Sequence, residues 1–125
     1  MVNFLLDTSV VVDVMRLHPP AKNWFSTQID PGIPAIVWLE ILQGVQDRTA
    51  LLKALRTLND FERIELTNDD VTWSIEQLVR YKLSHNVGGM DCLIASASHR
   101  LQIPLYTTNL KHFSPLLGHL AQKPY

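Results

Sequence analysis

The run from Asn3 to Leu6 is short and apolar, and it is halted by Asp7-Thr8-Ser9. An uninterrupted apolar run bounded by small polar residues reads as a strand buried on both faces that turns into a helix amino terminus. Asp, Thr and Ser are capping residues, and the helix they would cap continues through Val10-Val11-Val12-Asp13-Val14-Met15-Arg16. His18-Pro19-Pro20 ends that helix and opens another through Trp24 and Phe25, which stops before the turn signal Asp30-Pro31-Gly32. A brief strand is expected near residues 33–36. A helix that carries Glu40 and ends at Gly44 follows it.

Farther along, Leu51, Leu52, Leu55 and Leu58 recur at helical spacing, with Arg48, Lys53 and Arg56 on or near the opposite face. Phe61-Glu62-Arg63-Ile64-Glu65-Leu66 alternates apolar with polar, the pattern of a half-exposed edge strand. Thr67 and Asp70 have the spacing of a capping box ahead of a helix that carries Val71, Ile75, Leu78, Val79 and Leu83 on one side. After the loop Asn86-Val87-Gly88-Gly89 comes a small-residue helix with Ile94, Ala97 and Leu101, then a strand over Ile103-Pro104-Leu105-Tyr106-Thr107. The tail from Gly118 to Tyr125 carries no clear pattern. Strands alternating with helices, and no Asn-Gly hairpin signal, predict a three-layer α/β/α domain with a central parallel sheet and one domain over 1–125.

Composition narrows the classes. With 46% hydrophobic and 18% charged residues and a formal net charge of −1, the chain is neither disordered nor fibrous. The balance of charge does not by itself indicate nucleic acid, although a basic rim can coexist with an acidic site. The single cysteine, Cys92, cannot form an internal disulfide, which suits the reducing cytoplasm. No window approaches the roughly 20 apolar residues of a membrane span.

The candidate chemistry lies at element junctions. Asp7 closes the first strand, Glu40 follows the run Ile33 to Leu39, Asp91 opens the small-residue helix, and Asn109 follows Leu105-Tyr106-Thr107-Thr108. In an open parallel sheet such junctions share one rim, where ligands bind beyond the carboxyl ends of the strands. Carboxylates gathered there repel one another by roughly 4 kcal/mol per pair at 4 Å and an effective dielectric of 20, and a divalent cation removes the conflict. Hard cations prefer oxygen ligands, and such an ion can activate water against phosphorus. Phosphodiester hydrolysis is therefore the reaction class these residues suggest. Each acidic residue taken alone is also a plausible cap or surface group, so the argument rests on their shared position.

Leu5-Leu6-Asp7-Thr8-Ser9, Val37-Trp38-Leu39-Glu40-Ile41-Leu42-Gln43-Gly44, Met90-Asp91-Cys92-Leu93-Ile94-Ala95 and Thr107-Thr108-Asn109-Leu110-Lys111-His112-Phe113 together resemble the successive motifs of PIN-domain ribonucleases. More narrowly, the chain is similar to the VapC-type toxins of bacterial type II toxin-antitoxin pairs. The resemblance covers nearly the whole chain. It implies a Mg2+- or Mn2+-dependent endoribonuclease with Asp7, Glu40 and Asp91 as metal residues. It also implies an RNA substrate, a cognate antitoxin that wraps the early helices, and a homodimer. Many PIN domains carry a fourth acid where this chain has Asn109, which can offer a carbonyl oxygen but no charge.

Other residues weigh less. Asp13 lies about 240° around the helix from Asp7, so it is not expected to be a ligand. Thr8 and Thr108 are candidates to bond a carboxylate or a water, and Arg16, Arg48, Lys82 and Lys111 to meet phosphate or a partner's acids. The five histidines show no zinc-like spacing with Cys92 and receive no catalytic role. Trp24, Phe25, Trp38 and Trp73 read as packing residues. Two competing functions are a non-catalytic RNA- or protein-binding module and a housekeeping RNA-maturation nuclease. An aspartyl-phosphate enzyme is disfavoured because Ser9 stands where a second aspartate is usual.

Overall fold

The computed structural model describes residues 1–125, with strands β1 (Phe4–Leu6), β2 (Pro31–Pro34), β3 (Glu62–Ile64), β4 (Leu105–Tyr106) and β5 (Ala121–Gln122). Between and after them lie α1 (Thr8–Met15), α2 (Pro19–Phe25), α3 (Ala35–Gln43), α4 (Arg48–Leu58), α5 (Asn68–His85), α6 (Gly89–Leu101) and α7 (Leu110–Leu117). The five strands form one all-parallel sheet in the order β3-β2-β1-β4-β5. β1 is central because Phe4, Leu5 and Leu6 are all buried and pair on both sides, Leu5 opposite Gly32 and Leu105. The α/β class and the parallel sheet expected from the alternation are therefore present.

Leu5, Leu6, Val10, Val11, Ile33, Val37, Leu58, Ile94, Leu105 and Phe113 make up much of one continuous core. Gly32 is needed for its closeness to the strand beside it. A Cβ there would stand 2.7 Å from Val2 Cγ1, so any larger residue would push β2 away from β1. Trp24, Phe25, Trp38 and Trp73 pack against the core half-buried, as packing residues should.

Three readings of the sequence are corrected. Pro31-Gly32 belongs to β2, and only Asp30, at φ 60°, turns the chain. The strand ends at Pro34 rather than near residue 36 and α3 begins at Ala35, so the helix expected to carry Glu40 starts earlier and holds it in its second turn. An unbroken apolar run from Ile33 to Leu39 contains nothing that separates buried strand from buried helix. Val71, Ile75, Val79 and Leu83 on α5 face outward. The side of α5 that packs inward carries the half-buried Trp73 and Leu78 with the buried Asp70 and Ser74. The tail adds a fifth strand, since Ala121 and Gln122 pair with Leu105 and Tyr106. No helix is long and apolar enough to cross a membrane.

Candidate active site

The strand order reverses direction at β1: the chain moves to β2 on one side and reaches β4 on the other. The carboxyl ends of β1 and β4 thus border the crevice in which open α/β sheets bind ligands. Asp7 sits there as the N-cap of α1, its backbone N–H donating to the Tyr106 carbonyl at 3.0 Å. Its carboxylate is held on both oxygens. Oδ1 accepts the Thr8 N–H at 2.7 Å, and Oδ2 accepts the hydroxyls of Thr107 at 2.8 Å and Ser9 at 3.0 Å.

Asp7 is only 6% exposed, and none of the ion pairs in the chain includes it. Burial pushes its pKa above the ordinary carboxylate range, the charge of Asp91 adds to the rise, and the three hydrogen bonds only partly oppose it. Asp91, in the first turn of α6, is therefore close enough for the two carboxylates to feel each other. The same charge, after burial, raises the thiol pKa of Cys92.

Glu40 joins the group through Thr8. The Thr8 hydroxyl donates to Glu40 Oε1 at 2.6 Å while its N–H serves Asp7, so one residue positions two carboxylates that lie 33 positions apart in sequence (40 − 7 = 33). Asn109 is the N-cap residue of α7, and its amide Nδ2 lies 3.0 Å from His112 Nδ1. That ring nitrogen is also 3.2 Å from Asp91 Oδ2. Asp7, Glu40, Asp91 and Asn109 are thus brought to one edge. No three His, Cys, Asp or Glu side chains close into a cage around a single point.

Among the side chains read as secondary, Thr8 does bond carboxylates, whereas Thr108 offers only its backbone N–H, to Ser9 Oγ at 3.2 Å. Asp13 faces away and accepts the Tyr125 hydroxyl at 2.5 Å. Lys82 is engaged with Asn86 Oδ1 at the far end of α5, 2.9 Å away. Sequence reasoning missed Ser9, Thr107 and His112. His112 is three residues beyond Asn109, in the first turn of the helix that follows β4, so the rule that selected the carboxylates would have selected it too. From Thr8 and Glu40 a groove of about 390 Å³ runs between α1, α3 and α4, lined by Val12, Met15, Ile41 and Val45 with Arg16 and Lys53 at its rim.

An acidic crevice at the switch point of a parallel sheet is the arrangement of PIN domains, and residues 4–114 match the PIN domain family model. The chain belongs to the PIN-domain family. Within it, the chain is homologous to VapC toxins: it is 32% identical to Ribonuclease VapC19 of Mycobacterium tuberculosis, over 97% of this chain and 98% of that one. Two solved structures share the fold. One is a DNA-bound VapBC from Salmonella typhimurium, with TM-score 0.80, 19% identity and all of both chains covered. The other is a toxin-antitoxin complex from Klebsiella pneumoniae, with TM-score 0.79, 21% identity and 97% of each chain covered.

Proposed function

We propose that the chain, as one PIN domain over residues 1–125, is the endoribonuclease toxin of a toxin-antitoxin pair. It hydrolyses RNA phosphodiester bonds with Mg2+ or Mn2+ at Asp7, Glu40, Asp91 and Asn109. One observation carries this reading: Asp7 is a buried carboxylate with a second carboxylate nearby and no cationic side chain. Such an arrangement persists where an external cation completes it.

The donor set fits a hard divalent ion. It offers carboxylate and amide oxygens, the donors a hard ion takes when it is held by a few side chains and keeps several waters, while no three acidic, histidine or cysteine side chains converge on one point. Asp7 and Asp91 would hold it, with Glu40 beside them. Bound there, the ion supplies Lewis-acid polarisation of the phosphoryl group and acidifies water. The protein supplies the rest. The donors from Thr8, Ser9 and Thr107 prevent Asp7 from rotating, which presets the geometry before RNA arrives. Thr8 fixes Glu40 through Oε1, leaving Oε2 to take a proton from the attacking water. Asn109 contributes an uncharged oxygen and so keeps the local negative charge low beside phosphate.

The partner reading is supported by two surfaces. The groove from Thr8 to Lys53 has apolar walls, ends at Glu40 and carries a basic rim, which suits an amphipathic antitoxin helix with acidic flanks. On α5, Val79 is 80% and Leu83 99% exposed, in line with Val71 and Ile75, and this stripe suits a second copy of the chain. Sedimentation of Val79→Glu as a monomer, against a wild-type dimer, checks the second assignment.

The deciding experiment incubates partner-free protein with labelled total RNA across a Mg2+ and Mn2+ titration, with a chelator control and Asp91→Asn. Discrete fragments that need metal and fall at least about a hundredfold in the variant are expected. RNA binding without cleavage in folded protein would replace this reading with the binding module. Growth arrest relieved by a neighbouring antitoxin would separate a toxin from an RNA-maturation nuclease.

A further inference from the structure

Helix α5 reaches past the helix it packs on. The two run antiparallel: Asp70, in the first turn of α5, accepts Arg100 Nε near the end of α6. At the other end, a Cβ placed on Gly89, the first residue of α6, would stand 3.9 Å from Leu78 Cδ2. α6 therefore begins level with Leu78, while α5 continues to His85. Residues 79–85 make roughly two further turns. The chain then doubles back through Asn86, at φ 52°, and the buried Val87 to Gly88. Asp91 lies at the same open end, its Oδ2 3.7 Å from a Cβ placed on Gly88. The projecting end of α5 and the acidic edge thus border one space.

The charges on α5 are sorted along its length. Asp69, Asp70 and Glu76 occupy the part that packs on α6, and Arg80, Lys82 and His85 the part that projects. A helix macrodipole favours cations in the last turn, which accounts for Lys82 and His85 but fades before Arg80. Glu76 stands four residues before Arg80, the spacing of a helical ion pair, yet the two form none. The guanidinium lies over the Tyr81 ring instead, 5.4 Å from its centroid. Tyr81 is half-buried and meets the His85 ring edge-on at 5.5 Å, so it supports the cation and is no platform for a base. Lys82 Nζ donates to Asn86 Oδ1 at 2.9 Å, which uses one of its three N–H groups. Both cations are exposed and held in place, and neither pairs with an acid of the chain.

We propose that Arg80 and Lys82 hold phosphates of the RNA strand where it leaves the acidic crevice, as a sequence-independent clamp that positions the strand at Asp91. The proposal rests on the reading of the chain as a ribonuclease and adds where the strand runs. Carboxylates at the crevice repel a polyanion, and two cations beside it restore the attraction. Contacts to the RNA backbone fix register and carry no sequence information. The clamp therefore sets affinity and leaves the cleavage position to the crevice.

The test titrates salt against the binding of a labelled single-stranded RNA oligonucleotide of mixed sequence to the full-length Asp91→Asn chain in chelator. Each phosphate contact to a single strand contributes about 0.7 to the slope of log affinity against log salt. Arg80→Gln with Lys82→Gln should therefore flatten the slope by about 1.4 and weaken binding at least about tenfold at roughly 0.1 M salt. Arg80→Lys with Lys82→Arg keeps both charges and should stay within about twofold of the parent. Arg56→Gln removes a cation elsewhere and should leave the slope unchanged. It lies in the last turn of α4, which leads to Asp60 beside Met1 and Val2, at the end of β1 away from Asp7. With Asp91 intact and metal present, the glutamine pair should cut total RNA at the same positions but need about tenfold more RNA to do so.

The proposal is overturned if the glutamine pair leaves affinity and slope unchanged, if Arg56→Gln flattens the slope as much, or if the charge-keeping exchange fails as badly as the glutamine pair. Cleavage at new positions overturns it too, because the two cations would then be reading sequence. RNA binding that needs Arg80 and Lys82, in protein without Asp91-dependent cleavage, would remove the nuclease reading and leave the clamp standing.

Discussion

Asp7 and Asp70 are the two carboxylates most fully enclosed by the fold, 6% and 2% exposed, and their surroundings are opposite. Asp70 sits at the α5–α6 seam. It closes a capping box with Thr67 and accepts Arg100 Nε at 3.0 Å on Oδ1 and 3.2 Å on Oδ2. Arg100 also reaches the Glu65 carbonyl at 3.2 Å, fastening the end of β3 to the same seam. Asp7 accepts three hydrogen bonds and meets another carboxylate instead of a cation. The chain therefore neutralises one buried aspartate with its own guanidinium and gives the other no cationic side chain. Burial alone does not mark a functional residue. Burial with the compensating charge withheld does, because the fold accepts instability at that point without a structural return.

The largest expected effect removes the cation from the seam. Arg100→Met keeps the side-chain volume but leaves Asp70 alone, and the loss in urea-induced unfolding should be about 2 kcal/mol. That is below the full cost of a buried pair because the Arg100 side chain is 33% exposed and partly screened. Asp91 and Arg100 are nine residues apart on α6, about 13 Å along the helix, so RNA cleavage per folded molecule should hold. Lost cleavage at unchanged stability would mean that the two regions are coupled and the contrast between them is misdrawn.

Thr107→Val acts on the other side and should have a smaller effect. Thr107 is fully buried, donates to Asp7 Oδ2 and accepts the Asn109 N–H at 2.9 Å, so the isosteric valine leaves an amide unpaired. A loss of about 1–2 kcal/mol is expected, with metal-dependent cleavage reduced through a looser Asp7. Stability lost with cleavage unaffected would show that the hydroxyl serves the loop rather than the carboxylate.

How much of this was legible follows the same division. The seam was readable because its signals are local: Thr67 and Asp70 are three residues apart, and the box they form was expected from that spacing. Asp7 was readable because an apolar strand ended in a capping residue, although its lack of a cation is a fact of tertiary structure. Glu40 was expected on a helix and is found there, but the strand before it was drawn too far along, since the run from Ile33 through Leu39 carries no break between strand and helix. Strand β5 is two residues long and exists by virtue of the β4 edge, so 121–122 held no periodicity to detect. His112 was passed over because histidines were tested only for zinc spacing along the chain; Asn109 stands three residues before it as the N-cap of α7, and only its contact with Asp91 spans α6 and α7.

Asp7→Asn is the smallest perturbation and the sharpest, because the contrast predicts its sign. Burial first, and the charge of Asp91 last, raise the Asp7 pKa above its ordinary range in the folded state. A carboxyl raised by folding contributes its full stability below the unfolded pKa and loses it as pH rises through the folded one. At neutral pH without metal, ionised Asp7 is then a net cost, and asparagine, which cannot ionise, avoids it. The variant should melt at or a few degrees above wild type at pH 8, and the gap should close as pH falls through the carboxylate range. Added Mg2+ or Mn2+ should reverse the order by stabilising wild type alone, since only a state that binds the ion gains from it. A variant less stable than wild type at pH 8 in chelator would mean that the three hydrogen bonds outweigh burial, and Asp7 would then be as structurally satisfied as Asp70.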